Sequence, residues 1–80
     1  MPTYFFDLRI GEELAPDEEG MELADVVAAQ QEALRTLAGV ARDEITAKLG
    51  VTTEYMTVEV RDEAGPLLKV GFSFQLTRTN

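Results

Sequence analysis

Apolar side chains recur at every second position in three stretches of this chain and at every third or fourth position in one other. That change of period limits the possible folds more than any single motif. Thr3 to Ile10 places Tyr4, Phe6, Leu8 and Ile10 on one side and Phe5, Asp7 and Arg9 on the other. Thr53 to Arg61 turns Met56, Val58 and Val60 inward and Tyr55, Thr57, Glu59 and Arg61 outward. Leu68, Val70, Phe72, Phe74 and Leu76 fill one face of the last stretch, opposite Lys69, Gly71, Ser73 and Gln75. A period of two belongs to a strand with one buried face. Asp62-Glu63-Ala64-Gly65 joins the last two strands as a hairpin, since Asp favours the first turn position and Gly accepts a positive φ. The last strand is the most apolar and is expected at the centre of the sheet.

Gly11 permits a reversal after the first strand, and Glu12 to Ala15 reads as a short second strand that Pro16, lacking a ladder donor, stops. From Asp25 to Leu49 the chain is rich in Ala, Leu, Glu and Gln, with Asp25 as N-cap and Gly50 as the C-terminal stop. On a helical wheel Val26, Ala33, Leu34, Leu37, Val40 and Ala41 gather on one stripe, flanked by Val27, Ala29, Ala38 and Ile45. A helix of about 25 residues spans about 37 Å and a strand of about eight residues about 26 Å, so the helix should overhang the sheet. Glu44 and Lys48 would then pair at i,i+4 beyond it. Gly39, outward and mid-helix, marks either a kink or the close approach of another helix. The fold expected is α+β with the order β(β)αββ: a mainly antiparallel three- to four-stranded sheet, one long helix packed on one face, and a single domain over residues 1–80.

A chain of 80 residues buries only about 60 to 65% of its unfolded surface and forms one thin core. With a radius of gyration of about 12 Å it has little room for a deep enclosed cleft. Seven Lys plus Arg against fifteen Asp plus Glu give a formal charge of −8. Such a charge repels phosphate backbones and anionic lipid, so neither a nucleic acid nor a membrane is expected as partner. Its ordinary meaning is solubility, and its sharper one is attraction to a basic protein. The N-terminus has neither the basic region nor the apolar core of a signal peptide, and no apolar run reaches the roughly 18 residues of a spanning helix, which favours the cytoplasm.

The chain has no histidine and no cysteine, so the usual general base near neutral pH and the usual ligands for zinc, copper and haem are missing. Ser73 has no His partner for a triad, and Lys48 and Lys69 lie in no nucleophile motif. Paired carboxylates for glycoside hydrolysis would need a groove that this length does not supply. The glycines are scattered and form no phosphate-binding loop. No catalytic, cofactor-binding or metal-ligating residue is therefore expected, and no cofactor. The acidic turn Asp17-Glu18-Glu19, near Glu12, Glu13 and Glu22, reads as a solvated loop, with a weak hard-cation site as the alternative, because its spacing is not that of an EF-hand. An amphipathic interaction surface is the sharper expectation: Phe5, Asp7, Arg9, Tyr55, Glu59, Arg61 and Lys69 on the wet face of the sheet, with Gly39 on the helix.

The order and spacing of Tyr4-Phe5-Phe6, Leu8-Arg9, Gly11, Pro16-Asp17-Glu18-Glu19-Gly20, Glu22-Leu23, Asp25, Glu32-Ala33-Leu34, Val58-Glu59-Val60 and Asp62-Glu63-Ala64-Gly65 resemble a known group. It is a family of small uncharacterised proteobacterial proteins classed as a domain of unknown function. The resemblance runs over nearly the whole chain, except for a poor fit from Ile45 to Tyr55, and implies a stand-alone domain of this length. Members often carry a histidine where this chain has Asp7, and an Asp-Gly turn where it has Ile10-Gly11. Any role of that histidine is lost here, which favours a structural or binding role. Pro16-Asp17-Glu18-Glu19-Gly20 and Glu32-Ala33-Leu34 also resemble the HicB-like antitoxin domain, although the spacer between turn and helix is shorter and no DNA-binding segment follows. The expectation is a non-enzymatic interaction module that forms a homodimer. The alternative is a HicB-like antitoxin-type inhibitor of a basic protein partner.

Overall fold

One helix lies across one face of an antiparallel sheet. The computed structural model describes residues 1–47 and 53–80. In chain order the elements are β1 (Thr3–Ile10), β2 (Glu13–Ala15), β3 (Met21–Glu22), α1 (Val26–Ala47), β4 (Thr53–Asp62) and β5 (Gly65–Gln75). The sheet order is β2-β1-β4-β5, with β3 also paired to β1. β2 meets Leu8 to Ile10 of β1 and β3 meets Thr3 and Tyr4, both antiparallel. Together β2 and β3 act as one interrupted edge strand.

β4 is the spine. It pairs with β1 from Phe5↔Arg61 to Ile10↔Met56, and with β5 from Thr53↔Gln75 to Asp62↔Gly65. Flanked on both sides and covered by α1, it supplies the fully buried Met56, Val58 and Val60, each contributing about 1.5 to 3 kcal/mol by burial. α1 packs on β4 and β5 through Ala29, Ala33, Leu37 and Ala41. Three alanines in that line let the helix axis approach the sheet closely. Phe6, Leu8 and Ile10 of β1 and Leu68, Val70 and Phe72 of β5 are half-buried around this centre.

Two punctuation signals act as their chemistry predicts. Asp25 caps α1, its Oδ1 accepting the Ala28 N–H at 2.9 Å. Asp62 closes the β4–β5 hairpin, its Oδ1 accepting the N–H groups of Ala64 at 2.8 Å and Gly65 at 3.1 Å.

Three expectations are corrected. β5 is an edge strand and not the central one; its apolar run faces the border of α1, where its side chains are half-buried. Leu34 is 50% exposed, because it stands about 80° off the sheet-facing alanine line, and Val26, on that line but the first residue of the helix, is 44% exposed. Over the described residues α1, at 22 residues, spans about 33 Å, and the 10 and 11 residues of β4 and β5 span about 33 to 37 Å; the expected overhang of the helix end falls outside the described residues. Thr57, read as outward, is buried at 3% exposure. α1 passes through Gly39 without interruption, and a Cβ there would meet nothing within 4 Å. The expected roles of Lys48, Leu49 and Gly50 lie outside the described residues.

Candidate functional site

Pleating sets the odd residues of β1 and β4 on the face away from α1, and the sheet register gathers them. Phe5 lies opposite Arg61, Asp7 opposite Glu59, Arg9 opposite Thr57, and Glu59 opposite Lys69 of β5. Six of the side chains expected at an interaction surface therefore form one cluster: Phe5, Asp7, Arg9, Glu59, Arg61 and Lys69. Tyr55 stands on the same face nearer the far end of β4, its hydroxyl 3.3 Å from where a Cβ on Gly71 would lie. Gly39, on the helix across the sheet, does not join them.

Within the cluster the polar groups are engaged with one another. The Arg61 guanidinium stacks 4.5 Å above the Phe5 ring centroid. Its Nε donates to Asp7 Oδ2 at 2.8 Å and its Nη2 to the Asp17 carbonyl at 2.9 Å. Asp7 Oδ1 accepts the backbone N–H of Asp17 at 2.8 Å. Arg9 Nε donates to Glu59 Oε2 at 3.2 Å. That pair is open to water at 39% side-chain exposure on each partner, so it contributes at most about 1 kcal/mol. The Asp7–Arg61 pair is better sheltered, with Asp7 at 13%.

Asp17 is the hub that the sequence reading missed. Its Oδ2 accepts the Phe6 N–H at 3.1 Å, and its Oδ1 accepts the N–H groups of Glu19 at 3.1 Å and Gly20 at 3.2 Å. The carboxylate occupies the gap between β2 and β3 and accepts the outward Phe6 N–H of β1. Burial alone would raise its pKa. The backbone donors from Phe6, Gly20 and Glu19, with the Arg61 charge, outweigh burial and hold the carboxyl below its ordinary value. The turn is thus tied down through Asp17, while Glu18 and Glu19 stay exposed to water. The signal was present as Pro-Asp-x-x-Gly, in which an Asp oxygen reaches the amides two and three residues on. Gly20 completes the turn at φ 76°, with a Cβ position only 2.8 Å from Thr3 Cγ2 and 2.9 Å from Phe5 Cε1.

Chemically this arrangement fastens a loop. Each oxygen of Asp7 and Asp17 already accepts at least one internal hydrogen bond. Among the described residues no group of three or more acidic side chains is placed to hold a metal ion. Among them, too, no helix is long and apolar enough to cross a membrane.

A family model described as Domain of unknown function (DUF6894) matches residues 3–73. No curated protein and no solved structure gives a match.

Proposed function

We propose, for a chain that belongs to the DUF6894 family, that it is a small non-enzymatic protein-interaction module of the bacterial cytoplasm that associates with itself. The observation carrying this reading is an uncovered apolar stripe on α1. Val27, Leu34 and Ile45 lie within about 20° of one another on the helical wheel, with Ala38 between them, and are 57%, 50% and 37% exposed. Scattered apolar side chains are normal on a surface; aligned ones mark a contact. The internal pairing across the opposite face also supports contact through apolar groups, since Asp7, Arg9, Glu59 and Arg61 already have partners. Size-exclusion chromatography with light scattering tests the reading. Twice the chain mass of 8.8 kDa is expected at micromolar concentration, and a mass of 8.8 kDa refutes self-association.

The charge of −8 favours a second reading, an antitoxin-like inhibitor of a basic protein. Its gene should then sit beside a short basic toxin gene, and co-expression should rescue growth. Absence of such a neighbour removes this reading.

A further inference from the structure

β5 is the open edge of the sheet, and the backbone groups it leaves free can be identified. The Tyr55 carbonyl accepts the Gly11 N–H at 3.0 Å, so Tyr55 directs its backbone groups toward β1. Alternation along an antiparallel strand sends those of Met56, Val58 and Val60 toward β5. Through the register, Phe72, Val70 and Leu68 answer them, and the N–H and C=O groups of Lys69, Gly71, Ser73 and Gln75 point outward. At the other end of β5, Leu67 is the extra residue of a bulge, between Pro66↔Arg61 and Leu68↔Val60. The regular free edge thus runs from Lys69 to Gln75.

We infer that this edge pairs with the same edge of a second copy, forming an antiparallel dimer with a two-fold axis at Phe72, and the inference rests on the self-association proposed above. Phe72 is the midpoint of Lys69 to Gln75, so this register joins Lys69 to Gln75 and Gly71 to Ser73 of the second copy and satisfies every outward group between them. On the α1 face, Val70 meets Phe74, Phe72 meets Phe72, and Leu68 meets Leu76, which is 52% exposed in one chain.

Charge singles out this occupant. In a chain of net charge −8, the segment from Gly65 to Leu76 carries only Lys69, and the register places that lysine opposite glutamine. Two copies can meet here without the mutual repulsion expected of their acidic surfaces.

The helices fit the same arrangement. A two-fold axis through an edge pair stands perpendicular to the sheet and places both helices on one face. α1 packs on β4 and β5, so strands about 4.8 Å apart put its axis about 5 Å from the dimer midline. The two helices then lie about 10 Å apart, within normal helix-packing distance. β3 and β4 run parallel on either side of β1 and are joined through α1. In the right-handed sense that such crossovers take, the stripe carrying Leu34, Ala38 and Ile45 turns toward β5 and hence toward the second helix.

The test uses the full chain, light scattering and amide hydrogen exchange. Ser73→Pro removes an outward N–H without touching the β4 ladder, and Leu34→Glu places a charge on the helix stripe. Each should move the wild-type dimer to monomer mass with unchanged circular dichroism. In the wild-type dimer the amides of Gly71, Ser73 and Gln75 should exchange at least about tenfold more slowly on raising protein concentration above the dissociation constant, as bonded edge amides do. A dimer that survives both substitutions, or whose three amides exchange at a concentration-independent rate, overturns this interface while leaving self-association standing. A wild-type monomer overturns both. Should Ser73→Pro fail to fold, the wild-type exchange pattern decides.

Discussion

Replacing Asp17 with alanine isolates the carboxylate that ties the turn to β1. Three backbone N–H groups lose a charged acceptor: Phe6, Glu19 and Gly20. The Phe6 N–H is half-buried beneath the turn, and its loss costs about 1.5 to 2 kcal/mol, within the range for hydrogen bonds to charged groups. The other two reach water once the turn loosens and contribute about 0.5 kcal/mol each. The sum, about 2.5 to 3 kcal/mol, lowers the melting temperature of a domain this size by about 10 to 24 °C. Asp17→Asn retains one acceptor oxygen but turns an amide NH2 toward a donor, so it should lose about half as much. The pH dependence gives an independent check. The folded-state pKa of Asp17 is lowered from 3.8, so its stabilisation is fully present above the unfolded value. It is lost as pH falls from about 4 through the folded pKa. Thermal unfolding followed by circular dichroism, at one fixed protein concentration from pH 7 down to pH 2, should show the variants converging on wild type at the acid end. An Asp17→Ala protein that melts within about 3 °C of wild type at pH 7, or whose deficit persists undiminished at pH 2, refutes the assignment of Asp17 as the tie.

Gly20→Ala forces a side chain into φ 76° and against Thr3 and Phe5, and should cost at least about 2 kcal/mol in denaturant unfolding. Gly11→Ala, at φ 58° in open space, should cost only about 1 kcal/mol. Thr57→Val replaces a buried hydroxyl that has no hydrogen-bond partner among the described residues with a methyl of similar size, and should raise stability by up to about 1 kcal/mol, read as a higher urea midpoint at constant m-value. Gly39→Ala, exposed within an unbroken helix, should stabilise by about 1 kcal/mol. Because Gly39 lies about 120° around the helix from Leu34, Ala38 and Ile45, the mass in solution should not change.

Alternation told correctly which side of each strand is apolar, because the side-chain period is a local property of extended backbone. It could not tell which strand lies beside which. The Leu68 to Leu76 run reads as central on hydrophobicity, yet β5 is at the edge, since strand order depends on the path of the whole chain. Helical periodicity gathered the right neighbourhood on α1 but placed its centre toward Leu34. Ala29, Ala33 and Ala41 rank low in apolarity, and they occupy the core line because they are small. Thr57 was read outward from parity alone, which is right about its face and blind to what covers it there. At the candidate site, the co-location of Phe5, Asp7, Arg9, Glu59, Arg61 and Lys69 followed from pleating and pairing. The part of Asp17 did not, because its bond to Phe6 crosses eleven positions in sequence and links two segments that periodicity treats separately.

The interrupted strand on the outer side of β1 has a further consequence for assembly. A sheet unit open on both sides is divalent and can add copies without end, as fibres do; a unit open on one side is monovalent and stops at a pair. β2, the Phe6 N–H bond to the Asp17 carboxylate, and β3 cover the outer side of β1, so in the dimer proposed above the carboxylate would act as a chain terminator for edge-to-edge growth. If the proposed β5-edge pair forms, loss of Asp17 should change the stoichiometry as well as the stability, letting a closed pair lengthen.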